Sequence, residues 1–196
     1  MPRPLIPDRR ERILDAAEAL VLDRGFDAMT IQHVAERCGI AKGAVYREFE
    51  SKQQILDVLL RRGMERMQRA SRERLGDDAT PRLSVAYRVA VRVLLDDPLM
   101  CAAFLDDEGV LGAYAATVDD GRYRERHAAV VDWIAALQRD GLLDARLSPR
   151  DLGLALSSFT IGLLTSAKLL GPLTSEELEG AIAAVELLVA GLEPAG

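Results

Sequence analysis

The chain has 196 residues, 49% of them hydrophobic and 29% charged, which is enough to bury a continuous core in one elongated domain or two small ones. No run of about 18 uninterrupted apolar residues occurs, and the start, Met1 to Asp8, lacks the apolar core and cleavage site of a secretory signal, so the sequence reads as cytoplasmic with no membrane span. The net charge of −6 would exclude a polyanionic partner if it were evenly spread, but residues 1–75 carry 15 Lys+Arg against 12 Asp+Glu while 76–196 carry 10 against 19. An anionic partner is therefore expected at the N-terminal end.

Apolar residues recur with a period near 3.6 almost throughout, which predicts an all-α fold of about nine helices. The first is expected from a cap at Asp8, with Glu11 three residues on, through the stripe Ile13, Ala16, Ala17, Leu20 and Val21 to a left-handed stop at Gly25, after which Phe26 plugs the turn. Thr30 is a good N-cap for a short second helix whose Ile31, Val34, Ala35 and Cys38 share one face, and Gly39 ends it. A third helix of about two turns is predicted from Lys42 to Phe49, with Val45 and Phe49 inward and Lys42, Tyr46 and Arg47 outward. Two short helices joined by a tight glycine turn make a helix-turn-helix. Ser51 and Gln54 form a capping box that opens a longer fourth helix, through Ile55, Leu56, Leu59, Leu60 and Met67, to Gly76.

Turns at Asp77–Pro81, Asp96–Pro98, Gly109–Gly112, Asp119–Gly121, Gly141 with Ser148–Pro149, and Gly171–Thr174 divide the remainder into further helices of ordinary length. Leu152 to Ala167 contains no charge and is apolar or small all round, so it is expected to be buried on most faces, at a subunit contact. After Thr174 a second stripe runs through Leu178, Ala181, Ile182, Val185, Leu188, Val189 and Leu192.

The residues Thr30-Ile31, Val34-Ala35, Cys38-Gly39-Ile40-Ala41-Lys42-Gly43-Ala44-Val45-Tyr46-Arg47-Glu48-Phe49 and Ser51-Lys52 resemble the TetR family of bacterial transcriptional regulators; close similarity ends near residue 60. The resemblance implies a helix-turn-helix DNA-binding domain over 1–52, a linking helix over 51–76, and a ligand-binding and dimerisation domain over 77–196. It assigns Tyr46 to a phosphate and Val45 and Phe49 to the core, makes Lys42 and Lys52 phosphate clamps that bracket the helix, and gives Thr30 a phosphate contact besides its cap. Gly43 fits independently, because a side chain in the first turn of a helix entering the major groove would hold that helix away from DNA. Base discrimination falls to Ala44 against a thymine methyl, Arg47 to guanine, and Gln32 or His33. The chain departs from the family at Ala41 and Ala44, where Ser and Thr are common, and at Glu48, whose carboxylate must point away from phosphates or pair with a base such as Arg47.

In the C-terminal half the resemblance places an apolar inducer cavity, for which Met100, Phe104, Tyr114, Trp133 and Phe159 are preferred. It also places a four-helix contact between protomers, for which Leu152, Leu156, Phe159, Leu163, Leu178, Ile182, Val185 and Val189 are candidates, so that the two recognition helices of a homodimer meet successive major grooves about 34–36 Å apart on a pseudo-palindromic operator. Asp106, Asp107 and Glu108 read as a solvated turn. Cys38 and Cys101 read as buried thiols, and His33 and His127 have no partners at metal-ligand spacing. No catalytic motif is present, so neither enzymatic activity nor a cofactor or metal is expected. The expected function is a ligand-responsive repressor released from DNA by a small, largely apolar molecule; the alternatives are a DNA-binding regulator controlled by a protein partner, and a small-molecule-binding or enzymatic helical protein with a vestigial DNA module.

Overall fold

The computed structural model describes residues 8–76, 80–105, 107–117 and 122–194, and among them every regular element is helical. In chain order these are α1 (Arg9–Arg24), α2 (Ile31–Cys38), α3 (Lys42–Val45), α4 (Lys52–Leu75), α5 (Leu83–Leu95), α6 (Pro98–Phe104), α7 (Glu108–Leu111), a 3-10 helix (Gly112–Thr117), α8 (Arg122–Arg139), α9 (Pro149–Leu170) and α10 (Ser175–Ala190). No helix among the described residues is long and apolar enough to cross a membrane. The turn expected at Asp77–Pro81 falls mostly outside the described residues, and Asp106 and the Asp119–Gly121 turn wholly so.

Local sequence accounts for most helix ends. Thr30 Oγ1 accepts the His33 amide at the start of α2, and Gly39 closes that helix at φ 65°, ψ 32°, a left-handed conformation that glycine adopts without steric cost. Asp97 and Ser148 cap α6 and α9, each followed by a proline whose missing N–H costs nothing in a first turn, and Thr174 with Glu177 forms a complete capping box on α10. Three expectations change. Asp8 sits at φ 59° and makes no side-chain cap, so α1 starts without the predicted box. Gln54 does reach back, but its Oε1 accepts the amide of Glu50 and not that of Ser51. The third helix is regular only over Lys42–Val45, and the chain continues as a turn to Phe49; Ala41 offers no side-chain acceptor, so the Ala44 amide is left to the Ala41 carbonyl at 2.8 Å.

Two compact units form, and they do not follow the division at residues 52 and 77. The first comprises 1–66 together with 97–118, and the second 67–96 together with 119–196, so α4 contributes to both. In the first unit the α1 stripe, enlarged by Leu14, packs with Val34, Val45, Phe49, Ile55, Leu56 and Leu59, all at most 1% exposed. In the second, Leu83, Tyr87 and Val91 of α5, Ile134 and Leu137 of α8, Leu152 and Leu156 of α9, and Ile182 and Val189 of α10 make one core cluster.

Candidate nucleic-acid interface

The α2–turn–α3 segment is held from beneath by the core just described, which leaves its outer face to polar groups. Thr30, Gln32, Lys42, Gly43, Tyr46 and Arg47 are all exposed, Tyr46 to 49%. Lys42 Nζ lies 5.9 Å from the centroid of the Tyr46 ring, and Arg47 has no partner among the described residues. Gln32 donates to Glu36 along α2 at 2.7 Å, so its amide is already engaged on the surface. At Gly43 an added Cβ would meet nothing within 4 Å and the backbone is ordinary, so nothing inside the protein requires glycine there.

Two residues assigned to this face stand elsewhere. Ala44 is only 7% exposed; the residue one before the inward-facing Val45 turns into the core with it, and its methyl is not offered outward. Lys52 bends back across the turn between α1 and α2: Nζ donates to the carbonyls of Phe26, Asp27 and Met29 at 3.1, 3.3 and 3.5 Å and sits 4.5 Å above the Phe26 ring. Its charge is spent on main-chain dipoles and an aromatic face, as satisfied buried carbonyls require.

Glu48 pairs with a base, but the base is Arg9 of α1 and not Arg47. Arg10 reinforces the junction by donating to the Glu48 carbonyl at 2.8 Å and stacking 4.2 Å over Phe49. The carboxylate is thereby neutralised, which leaves the exposed Lys42 and Arg47 without an acidic neighbour paired to them among the described residues. Beneath it, burial raises the pKa of the Cys38 thiol, an effect partly offset by Arg12 and Arg37. The first unit is further tied by an ion-pair network in which Arg62 meets Glu11, Asp15 and Glu18, and Arg66 meets Glu18 and Asp97.

The residues preferred for an apolar ligand are divided between the two units. Met100 and Tyr114 are buried within the first unit: the Met100 thioether fills the space a Gly63 side chain would occupy, and Tyr114 meets Phe26 edge-on at 5.8 Å and donates its hydroxyl to Asp57. Phe104 is half-buried in the same unit, whereas Trp133 packs half-buried against the core of the second. Phe159 is 49% exposed and lines an open apolar groove of about 650 Å³ between α5, α9 and α10, with Tyr87, Gly162, Leu163, Ala181 and Val185. Periodicity does not single out Tyr87 as a lining residue, whereas Ala181 lies on the stripe expected after Thr174. At the groove floor Tyr87 shares a hydrogen bond with Thr160 at 3.3 Å; burial raises its hydroxyl pKa and that bond lowers it somewhat.

The candidates for subunit contact divide in the same way. Leu152, Leu156, Ile182 and Val189 are at most 7% exposed and belong to the core of their own unit, and Leu163, Leu178 and Val185 are half-buried. Of the candidates only Phe159 is exposed, and it shares the outward apolar surface with Leu154, Ile161 and Leu170 of α9 and Leu187 and Leu188 of α10, exposed by 45–78%. A stripe read from sequence does not say which of two apolar faces of a helix meets its own chain. Among the described residues no cluster of His, Cys, Asp and Glu could hold a metal ion.

Comparison with known proteins places this geometry. Residues 13–59 match the family profile described as bacterial regulatory proteins, tetR family. The HTH-type transcriptional repressor KstR of Rhodococcus jostii (strain RHA1) is 35% identical over 96 residues, which is 49% of this chain and 45% of that protein, so the match spans about half the length of either. Among solved structures, the ketosteroid transcriptional regulator KstR2 of Mycobacterium tuberculosis aligns over 97% of this chain and 98% of its own with a TM-score of 0.64 at 20% identity. AibR in complex with isovaleryl coenzyme A and operator DNA aligns over 96% and 100% with a TM-score of 0.63 at 21% identity. The profile match falls on the segment that carries Thr30, Gly43 and Tyr46, and the fold is similar to those two solved regulators across almost the whole length: residues 13–59 are those of a bacterial regulatory protein of the tetR family, on a chain whose helical fold the solved regulators share.

Proposed function

We propose that this chain is a repressor that binds a pseudo-palindromic DNA operator as a homodimer and leaves it when a small, largely apolar molecule binds. The observation that carries the DNA contact is the outer face around Gly43. It combines two cations, Lys42 and Arg47, a half-exposed Tyr46 and a glycine for which the protein has no internal use. A helix approaching the floor of a groove needs such a gap, while tyrosine and lysine at its rim suit phosphates and Arg47 suits a guanine edge. Thr30 adds a hydroxyl at the head of α2, and Gln32 a polar group beside it.

Twofold association is supported by the outward leucines of α9 and α10, a patch that would otherwise face water. For the effector we retain Trp133 of the second unit, which is not fully enclosed, and release Met100 and Tyr114, whose side chains are committed to Gly63 and Asp57; Phe159 goes to the face between protomers. The capture of AibR with a coenzyme A thioester and operator DNA supports reading this fold as one that takes both.

Selection of bound fragments from random duplex DNA by the full chain tests the reading. A twofold-related sequence, protected as two half-sites in successive major grooves, is the expected result, together with a sedimentation mass of two chains. Release of that duplex during titration with apolar acids and their coenzyme A thioesters identifies the effector class. Binding without sequence preference, or by a monomer, overturns the proposal.

A further inference from the structure

We propose that residues 107–114, which by chain order belong to the C-terminal half, are a working part of the DNA-reading unit, and that Asp27 and Tyr114 are positioning residues for the contact made by α2 and α3. The inference rests on the DNA-binding reading above and adds to it a second support for the helix-turn-helix beside its own core.

The observations concern one turn. Residues 25–29, between α1 and α2, are gripped from two sides. On one side Lys52 ties together the carbonyls of Phe26, Asp27 and Met29. On the other, the Phe26 amide donates to the Val110 carbonyl at 2.8 Å, Asp27 Oδ2 accepts the Ala113 amide at 3.0 Å, and Tyr114 sets its ring edge against Phe26 while its hydroxyl bonds Asp57 of α4. The approach leaves no spare room. A Cβ on Gly25 would lie 2.6 Å from the Gly109 carbonyl oxygen, and one on Gly112 would enter the Asp27 carboxylate. Both glycines have positive φ, at 80° and 57°, so each strand of the contact is built around a residue that cannot be larger.

What the turn controls follows from chain order. Met29, whose carbonyl Lys52 holds, precedes Thr30, the N-cap of α2; Thr30 fixes where α2 starts, and α2 leads through Gly39 into α3. A shift of the turn therefore shifts the cap, and with it the face that carries Gln32, Lys42 and Arg47. Residues 97–118 are also joined at both ends to the second unit, at 96 and 119.

The test uses the full chain and three substitutions chosen to spare the core. Asp27→Ala removes the acceptor for Ala113, Asp27→Asn keeps an acceptor oxygen, and Tyr114→Phe keeps the ring but removes the bond to Asp57. Amide exchange over residues 26–33 and over α8–α10 is followed by mass spectrometry, and dissociation from a labelled random-sequence duplex at low salt by anisotropy. We expect Asp27→Ala and Tyr114→Phe each to raise exchange at 26–33 and the duplex off-rate about fivefold, as loss of a hydrogen bond to a partly exposed group implies, with α8–α10 unmoved and Asp27→Asn near wild type. Faster exchange with unaltered DNA dissociation would make the contact mere packing and overturn the proposal, as would no change in either readout. A wild-type chain that binds no duplex at any salt concentration fails in a different arm and removes the DNA reading and this inference together.

Discussion

Replacing Lys52 by methionine separates two roles that look identical in a sequence: a cation that clamps phosphate and a cation that holds its own chain together. The substitution keeps most of the aliphatic stem and removes the ammonium that donates to three carbonyls and covers the Phe26 ring. A hydrogen bond to a charged group contributes about 1.5–3 kcal/mol, but three acceptors share one ammonium here and only the 3.1 Å contact with Phe26 is close to optimal. Counting about one full bond, plus about 0.5–1 kcal/mol for the ring, gives a gross stabilisation of about 2–4 kcal/mol. Releasing the lysine side chain returns about 1.5 kcal/mol of rotamer entropy, so the net loss expected in urea denaturation is about 0.5–2.5 kcal/mol. The second measurement is the salt dependence of duplex binding. Each phosphate neutralised contributes about −0.9 to the slope of log K against log salt, so Lys52→Met should leave the slope unchanged while Lys42→Met makes it shallower by about 0.9. A Lys52 variant with wild-type stability and a slope shallower by that amount would refute the reasoning, because the ammonium would then be facing DNA.

Gly43→Ala should fold at least as well as wild type, gaining up to about 0.8–1 kcal/mol of helix propensity because its Cβ meets nothing, yet bind duplex DNA more weakly; an electrophoretic titration beside a thermal melt shows both. Gly25→Ala should do the reverse of the first effect and lose about 2–3 kcal/mol by denaturation, since the residue sits at φ 80° with a carbonyl oxygen 2.6 Å from the new methyl. Leu187→Asp combined with Leu188→Asp should halve the sedimentation mass with little change in far-UV circular dichroism, because both side chains are at least 65% exposed in the protomer. The Cys38 thiol, buried and with its pKa raised, favours its neutral form in the folded chain, so alkylation near pH 8 should be at least tenfold slower than in urea and should accelerate only as the pH climbs past the ordinary thiol range.

Local signals carried the N-terminal segment well because its instructions are short-range. Thr30 caps α2 through a hydroxyl that reaches three residues on, Gly39 turns left because no Cβ obstructs it, and Val45 and Phe49 face inward because their spacing puts them one turn apart. A reader of the linear chain can place these with no knowledge of what lies above them. The same holds for the caps at Asp97, Ser148 and Thr174.

Other questions depend on residues distant in the chain. Lys52 was legible as a cation at the head of a helix, but its partners Phe26, Asp27 and Met29 lie more than twenty residues earlier, and Glu48 found Arg9 across a longer gap of 39 residues. Periodicity showed that α9 and α10 are apolar without showing which face each spends on its own core: Leu152, Leu156, Ile182 and Val189 inward, Leu154, Ile161, Leu187 and Leu188 outward. Nor did it show that residues 97–118 fold with the helix-turn-helix, since the glycines that permit this, Gly25 and Gly112, read in sequence only as turns. Helical periods, caps and turns are decided within about one turn of the chain, whereas the choice of partner for a charge or an apolar face is settled by whatever the completed fold brings near. Tertiary structure alone made that choice here.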